Sequence, residues 1–323
     1  MIPKPPPREG PLGFIYHPPY RVQGTSVAGE ATCVQIPELD VCFDMGSCPR
    51  AVLASKYAVI SHGHMDHVGA LAYWCSQRNF QGMGPGTIVC DERIAADVEG
   101  MMQGFVNLER QKTPYEIRTL KSHAGGQVGS PEAAPAEIEI KNSIFLRGFH
   151  TEHTCESMGY VIVERRSKLK PELEGLPQEK LKELKDRGEE ITRILEIPLI
   201  AYLGDTQPGP HLIRDDVRRA QIIITECTFF EPDHRERAKI GQHMHVEDIK
   251  EWIKVCECEA MVLTHVSRRT NLQYAGGRLN EVLGDDAARV RLLMDHRMNK
   301  MIYDHQAAEA ERRERELAAS GRR

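Results

Sequence analysis

The chain has 323 residues, of which 41% are hydrophobic and 28% charged, so it can bury a full core and form one large domain over residues 1–323. Its formal net charge of −5 does not favour a nucleic-acid binder as a whole, although a local basic patch would suffice for phosphate contacts. No run approaches the roughly 18 apolar residues of a membrane span, and the start of the chain lacks the apolar centre of a secretory signal, so we expect no membrane association.

The nine cysteines are an odd number and are scattered along the chain without a paired framework. Such usage favours a reducing, intracellular setting with free thiols, and we expect a cytoplasmic protein. A zinc site built from cysteines alone is disfavoured for the same reason.

The first third of the chain alternates short β-like runs with helical patterns. The predicted strands span residues 32–36, 41–44, 58–60 and 86–90, and the predicted helices span residues 67–75 and 92–110. Asp91 is well placed to cap the second of these helices. Residues 122–137 are rich in glycine, alanine and proline and are predicted to form a loop.

The second half repeats the strand-then-helix rhythm. Its predicted strands span residues 138–146, 159–164, 199–203, 220–224 and 260–263, and a predicted amphipathic helix spans residues 246–257. Residues 165–190 are charged, with lysine and arginine slightly outnumbering the acids, which indicates an arm that projects from the body. A solvated helical hairpin is the alternative for this stretch. The charged residues 305–323 are predicted to form a helical tail.

The densest chemical signal is the run of residues 61–67, which places three histidines and an aspartate directly after a short predicted strand. His62 and His64 are two apart on extended chain, so they point the same way and can bind one metal. Asp66 and His67 follow as the chain turns and can face a second metal. Imidazole and carboxylate ligands without thiolates favour a catalytic zinc site over a closed structural one. The alternative is a surface cluster of polar residues with no ligand.

Several later strands also end in candidate metal ligands. These are His150, His153, Asp205 and His265. A two-zinc site needs about seven protein ligands, one of them bridging, and these positions supply them with histidine to spare. A water of lowered pKa at such a site suits hydrolysis of a phosphodiester, a thioester or a lactam, and the ligands alone do not choose among these.

The His-x-His-x-Asp-His run at residues 62–67 is the signature of the metallo-β-lactamase superfamily, within which the chain resembles the tRNase Z family, in the short form typified by plant enzymes. The matching segments lie between about residues 20 and 300: residues 43–49, His153 ahead of Gly159-Tyr160, and residues 204–206, 225–229, 243–245, 264–269 and 165–190. The resemblance implies an α/β fold, an αββα sandwich with a protruding exosite arm. It also implies an endoribonuclease that removes the 3′ trailer from precursor tRNA, two Zn²⁺ per chain (or Mn²⁺ on similar ligands), and a homodimer.

The same resemblance assigns roles to individual residues. The first zinc would be held by His62, His64, His153 and Asp205, and the second by Asp66, His67, Asp205 and His265. Asp66 would also orient or deprotonate the attacking water. Glu226 paired with His243 would donate a proton to the leaving 3′-oxygen of the tRNA. His245 is the alternative donor, and His150 is a weaker ligand candidate than His153. The substrate-binding residues would be Ser267 and Arg269 at the phosphate, and Arg165, Arg166, Lys168, Lys170, Lys180, Lys182 and Lys185 on the arm.

Two other functions stay open at this point. A small-molecule hydrolase of the same fold, acting on a phosphodiester or thioester, would have no use for the basic arm or for the pair of Glu226 and His243. A non-catalytic tRNA-binding relative would be expected to have lost metal ligands, whereas this chain has the complete set.

Overall fold

The computed structural model describes residues 2–5, 12–121 and 137–319, so most of the predicted loop at residues 122–137 lies outside the described residues. Its strands form two seven-stranded sheets. The first sheet contains, in spatial order, β1 (Gly13–His17), β2 (Tyr20–Val27), β3 (Ala31–Ile36), β4 (Val41–Phe43), β5 (Tyr57–Val59), β6 (Gly86–Asp91) and β7 (Tyr115–Leu120). The second contains β8 (Glu137–Lys141), β9 (Ile144–His150), β10 (Met158–Leu169), β11 (Thr192–Tyr202), β12 (Ile222–Glu226), β13 (Ala260–Thr264) and β14 (Val290–Leu292), again in spatial order.

Helices follow many of the strands in the described part of the chain. They are α1 (Met65–Val68), α2 (Leu71–Phe80), α3 (Ala95–Glu109), α4 (Gln178–Asp186), α5 (Asp215–Arg218), α6 (Arg235–Gly241), α7 (Val246–Ile253), α8 (Leu272–Leu283) and α9 (His296–Ala319). None of these helices combines the length and the apolar character needed to cross a lipid bilayer.

The two sheets pack face to face, and helices cover both outer faces. Phe43 of the first sheet stacks on Tyr202 of the second, with ring centroids 4.5 Å apart, in the apolar layer between the sheets. On the outer face of the first sheet, Trp74 of α2 and Met102 of α3 are fully buried. On the outer face of the second sheet, Trp252 of α7 packs into a further apolar cluster. These layers confirm the predicted αββα sandwich.

The central strands are parallel and are buried on both sides, which explains their unbroken apolar runs. Every residue of β12 and of β13 is buried. Parallel strands end at the same edge of a sheet, so the segments after β5, β11, β12 and β13 leave from one edge of the sandwich. Short bridges from Val27 to Val266 and from His62 to Ser157 join the two sheets there. This shared edge is where the predicted ligands meet.

The structure corrects three local predictions. Residues 138–146 are not one strand, because the chain reverses at Ser143, whose φ is 62°, and β8 and β9 form a hairpin. Asp91 ends β6 and accepts hydrogen bonds from Arg93, so it does not cap α3, which begins at Ala95. The predicted helix at residues 67–75 is divided between α1 and α2. Strands β1, β2, β7 and β14 were not predicted: polar residues interrupt the apolar pattern of β2, β7 and β14, and β1 has only three apolar side chains in a row.

The arm at residues 165–190 begins as a continuation of the second sheet. The outer halves of β10 and β11 pair from Arg165 opposite Glu196 to Leu169 opposite Thr192, forming a two-stranded ribbon. Beyond it lies α4, which has no buried residue. At the other end of the chain, α9 runs through the predicted tail, and its residues 311–319 are all exposed.

Candidate metal centre

The run of residues 61–67 leaves β5 at the shared edge and turns into α1. Ser61 starts this turn, because its backbone N–H and its hydroxyl both donate to the Asp44 carboxylate, at 2.7 and 2.8 Å. His62 and His64 then lie on extended chain, and the Nε2 of the first is 3.0 Å from the Nδ1 of the second. His153, in the segment after β9, places its Nε2 3.3 Å from the same His64 nitrogen.

A second group of ligand atoms surrounds the carboxylate of Asp205. Its Oδ2 lies 3.4 Å from His67 Nε2, 3.1 Å from His265 Nε2 and 3.9 Å from His62 Nε2. Asp66 Oδ2 lies 3.5 Å from His67 Nε2 and 3.4 Å from His265 Nε2. The structure therefore brings all seven predicted ligands together, with Asp205 between the two groups.

The spacing of these atoms fits divalent metal ions. Ligand atoms about 2.0–2.1 Å from a tetrahedral ion lie about 3.3 Å from one another, close to the separations within each group. The Nε2 of His67 is buried and has no hydrogen-bond partner among the residues that the structure describes, which is costly unless a metal ion or another group binds this nitrogen. Imidazole nitrogen and carboxylate oxygen are also a donor set that zinc accepts.

Hydrogen bonds fix the tautomers of the ligand imidazoles. The hydroxyl groups of Ser61 and Thr228 each donate to a carboxylate, so each hydroxyl oxygen is left to accept from a histidine. Ser61 accepts from His62 Nδ1 at 2.9 Å, and Thr228 accepts from His265 Nδ1 at 3.0 Å. His67 Nδ1 donates to Asp44 at 2.8 Å, and His153 Nδ1 donates to the backbone carbonyl of residue 242 at 3.1 Å. In its neutral form each of these rings therefore presents an unprotonated Nε2 to the cluster, as a metal ligand must.

The charges of the cluster also favour a cation. Burial lowers the pKa of His62 and of His153, which keeps both imidazoles neutral. Burial alone would raise the pKa of Asp66, but hydrogen bonds and charge from His265 and His67 hold it well below the ordinary range. The neutral imidazoles of His62 and His153 and the ionised carboxylate of Asp66 are in the protonation states that metal binding requires, whereas the carboxylates of Asp205 and Asp44 raise the pKa of His67, so that a metal ion would have to displace a proton there.

Asp44 is a functional residue that sequence reasoning missed. It is fully buried, and its backbone has the left-handed conformation (φ 57°). Besides the hydrogen bonds from Ser61 and His67, its carboxylate accepts one from the hydroxyl of Tyr202 at 2.5 Å. Such a carboxylate orients the ligand imidazole and raises its basicity. The signal was present in the matching segment 43–49, but a lone aspartate after a strand does not reveal its partner.

Two glycines are required where the ligand loops pass close to each other. Gly204, directly before Asp205, has a φ of 62°, and a Cβ there would lie 2.6 Å from that of Ser61. A Cβ on Gly46 would lie 1.7 Å from the carbonyl oxygen of Asp66. Larger residues at either position would displace a ligand loop.

A charge-paired histidine lies beside the ligands. His243 Nδ1 donates to Glu226 Oε1 at 2.7 Å, and the buried Glu226 also accepts from Thr206 N and Thr228 Oγ1. Burial lowers the pKa of His243, but the Glu226 carboxylate more than offsets this and raises it to about 9. The ring centroid of His243 is 5.1 Å from that of His153, so a protonated imidazole lies at the edge of the metal cluster.

The other predicted residues divide into three groups. His245 caps α7, and its ring nitrogens contact Glu231 O and Glu247 N, so the geometry favours His243 as the proton donor. His150 lines a neighbouring groove and is not among the clustered ligand atoms of the described residues. Ser267 and Arg269 follow His265 at the same edge, and Arg269 is exposed.

The predicted arm cations are not equivalent. Arg165 pairs with Glu137 and Glu196 and lies over the Phe145 ring, so it holds the base of the ribbon. Arg166 pairs with Glu164, and Lys170 lies 4.0 Å from Glu190. The remaining predicted lysines are exposed and have no ion pair with any residue of the described ranges. They are Lys168, Lys180, Lys182 and Lys185.

Comparison with known proteins identifies relatives of this chain. No protein-family model matches the chain. It is 32% identical over 257 residues to tRNase Z TRZ2, chloroplastic, of Arabidopsis thaliana, covering 79% of this chain and 69% of that one. It is 30% identical over 254 residues to tRNase Z TRZ1 of the same plant, covering 77% and 86%.

Solved structures agree at the level of the fold. The metallo-β-lactamase fold protein YhfI of Bacillus subtilis aligns with a TM-score of 0.50 and 15% identity, over 83% of this chain and 93% of that one. Its likeness supports the sandwich fold, and the sequence relatives supply the narrower assignment. The chain belongs to the tRNase Z family of the metallo-β-lactamase superfamily.

Proposed function

We propose that the protein is a metal-dependent endoribonuclease that removes the 3′ trailer from precursor tRNA, using two Zn²⁺ per chain or Mn²⁺ on the same ligands. One observation carries the proposal: the seven-ligand cluster and the Glu226–His243 pair share one edge of the sandwich. A hydrolase of activated small molecules needs no built proton donor, whereas expulsion of a ribose 3′-oxygen does.

The ligand set divides naturally between two ions. The first would be held by His62, His64, His153 and Asp205, and the second by Asp66, His67, Asp205 and His265. Ions bound there would supply a water of lowered pKa as the nucleophile.

The chain's own groups then account for the proton transfers and for orientation. Asp66 is placed to orient the attacking water or accept its proton. Attack forms a new bond to phosphorus and breaks its bond to the 3′-oxygen, which takes a proton from His243. The products are a tRNA with a 3′-hydroxyl and a trailer with a 5′-phosphate. Ser267 and the guanidinium of Arg269 would contact the phosphate.

The arm would bind the body of the tRNA. Lys168 pairs directly with Arg193 across the ribbon, and both side chains are exposed. Like charges opposite each other destabilise a ribbon unless an anion lies against them, which supports a phosphate-binding role. Lys180, Lys182 and Lys185 extend this basic surface along α4.

We further infer one catalytic unit per chain, with the arm at residues 165–190 and the tail at residues 305–323 as elaborations, acting as a homodimer in the cytoplasm. Family resemblance supports the dimer, and the nine unbridged cysteines support a reducing compartment. The relative TRZ2 is named as chloroplastic. Sedimentation velocity tests the dimer, and imaging of the tagged protein in cells tests the compartment.

The deciding experiment incubates the zinc-loaded protein with a 5′-mature, 3′-extended precursor tRNA and maps both product ends. A single cut near the discriminator base, leaving a 3′-hydroxyl on the tRNA, is expected. A sample stripped by a chelator should be inactive and should recover with zinc. If the precursor stays intact while bis(p-nitrophenyl) phosphate is hydrolysed, the protein is a small-molecule phosphodiesterase instead.

A further inference from the structure

A pocket of about 350 Å³ opens directly beside the metal centre. Gly63 and His64 of the ligand run form one wall, and Ile94, Val98 and Met101, at the start of α3, form another. The volume falls within the range of about 300–1,000 Å³ that is usual for small-molecule sites. The hydrolytic reaction described above makes no use of the apolar wall, so the pocket needs a separate explanation.

The chemistry of the pocket selects against phosphate. Its described lining contains no lysine or arginine, and its charged groups are the carboxylates of Asp97 and Glu156. Glu156 pairs with Arg93, whereas the exposed carboxylate of Asp97 has no hydrogen bond or ion pair to any residue that the structure describes. An apolar slot with one free hydrogen-bond acceptor suits a flat base that carries an exocyclic amine.

The position of the pocket indicates which base it would hold, given the proposed function on which this inference rests. His243 comes from the second half of the chain and protonates the oxygen that stays with the tRNA. The lining of the pocket comes mainly from the ligand run and from the start of α3, and neither Glu226 nor His243 is part of it. The pocket would therefore receive the other side of the scissile phosphate, which carries the first nucleotide of the trailer.

We propose that this pocket binds the base of the first trailer nucleotide and prefers a purine that carries an exocyclic amine, such as adenine. A purine offers the larger stacking area to Ile94, Val98 and Met101, and its N6 amine donates to Asp97. Uracil presents a carbonyl oxygen to that carboxylate instead of an amine, which leaves both acceptors without a donor.

Nucleoside monophosphates test the pocket without any tRNA, because adenosine 5′-monophosphate has the 5′-phosphate and base of the trailer product. Its affinity for the zinc-loaded protein is measured by calorimetry and by inhibition of bis(p-nitrophenyl) phosphate hydrolysis. It should bind roughly ten- to hundredfold more tightly than ribose 5-phosphate, as expected for one stacked base. Purine riboside 5′-monophosphate, which lacks the amine, should bind severalfold more weakly than the adenosine compound. Equal affinities of all three compounds would overturn the proposal.

Two variants separate the stacking from the hydrogen bond. Met101→Trp fills the slot and should remove the advantage of adenosine 5′-monophosphate over ribose 5-phosphate. Asp97→Ala should remove only the difference between adenosine and purine riboside monophosphates. Leu108→Trp and Glu109→Ala, on exposed parts of the same helix outside the pocket, are the matched controls and should change neither ratio. Retained affinity for ribose 5-phosphate shows that each variant is folded.

Failure of this inference is distinguishable from failure of the proposed function. If precursors with adenine, uracil or an abasic first trailer nucleotide are all cleaved at the same rate, the enzyme is a tRNA-processing nuclease and the pocket proposal is wrong. If no precursor is cleaved while adenosine 5′-monophosphate still binds through the pocket, the pocket stands and the proposed function is wrong. If Met101→Trp changes the sedimentation coefficient but not the nucleotide affinity, the apolar wall is an interface between copies of the chain and the proposal is overturned.

Discussion

The metal centre and the arm are both dense in ionisable side chains, but the fold holds them in opposite ways. At the metal centre, His62 and His67 are buried, and the nitrogen of each ring that faces away from the cluster has a fixed partner. On the arm, Lys180, Lys182 and Lys185 are exposed and lack ion-pair partners within the described residues.

The difference reflects what each region has to recognise. A metal ion requires its ligand atoms to lie within a few tenths of an ångström of fixed positions, and four of the five ligand imidazoles are held by a second hydrogen bond, those of His62, His67, His153 and His265. A folded RNA presents many phosphates on a flexible backbone, so exposed and mobile cations can bind it without being held in fixed positions.

Asp205→Asn should have the largest effect, because one carboxylate oxygen contacts three imidazole nitrogens of the cluster. The amide cannot bridge two cations, so bound metal should be lost and both precursor tRNA and bis(p-nitrophenyl) phosphate should stay uncleaved. Metal content is measured by mass spectrometry. Asp215→Asn, at an exposed carboxylate, is the control. Two ions retained in the Asp205 variant would contradict the ligand scheme.

His243→Ala should slow cleavage of precursor tRNA by roughly 10²–10⁴-fold, because the ribose leaving group needs a proton. Hydrolysis of bis(p-nitrophenyl) phosphate should fall much less, since nitrophenolate leaves unaided. His245→Asn, which keeps an N-cap acceptor for α7, should cleave precursor tRNA at nearly the original rate. Equal losses on the two substrates for the His243 variant would rule out its role as the acid.

Asp44→Asn should weaken metal binding by roughly 10–100-fold, as loss of an outer carboxylate partner usually does. The asparagine amide has one carbonyl oxygen that accepts and an NH₂ group that only donates, so it cannot accept from His67, Ser61 and Tyr202 at once. Zinc affinity is measured by competition with a chromophoric chelator. Asp40→Asn, near the surface in the preceding turn, should leave the affinity unchanged. An unchanged zinc affinity in the Asp44 variant would show that His67 binds the metal without needing its hydrogen bond to Asp44.

The pH dependence follows from the raised pKa of His243. With a pKa of about 9, this imidazole is protonated below that pH and neutral above it, so it can act as an acid only below. The rate of precursor cleavage at saturating substrate should therefore fall about tenfold per pH unit above pH 9. Glu226→Gln removes the charge that raises the pKa and should move this fall to lower pH. A profile for the His243→Ala variant that keeps the same alkaline limb would assign the limb to another group.

Replacing the three exposed lysines of α4 by alanine should have the smallest effect on the rate of hydrolysis, but it should weaken the binding of precursor tRNA. The variant combines Lys180→Ala, Lys182→Ala and Lys185→Ala. Its KM for precursor tRNA should rise and the slope of log affinity against log salt should drop by about one per lysine, while bis(p-nitrophenyl) phosphate hydrolysis stays constant. The control combines Lys239→Ala, Lys250→Ala and Lys254→Ala, whose ammonium groups already pair with carboxylates. An unchanged slope would remove the arm from the tRNA interface.

The sequence was sufficient for the family, the layered fold and the identities of the ligand candidates. Each ligand candidate follows an apolar run that predicts a strand, and parallel strands end at one edge, so residues such as Asp205 and His265 could be expected to meet. The strands of mixed polarity, β2, β7 and β14, could not be predicted in this way, because tertiary packing rather than alternation makes them strands, and the short β1 was also missed. The hairpin of β8 and β9 was missed because its turn at Ser143 has no glycine or proline.

The sequence by itself determined which side chains can bind metal, because that information is local: a strand end and a short motif. Only the tertiary structure decided what orients those side chains, since Asp44 reaches His67 across 23 positions of the chain and Tyr202 across 158. It also decided which arm cations are free, because the ribbon register places Arg165 against Glu196 and leaves Lys168 facing Arg193. Hydrogen bonds and ion pairs depend on distances between residues remote in sequence, and those distances exist only after the sheets have packed.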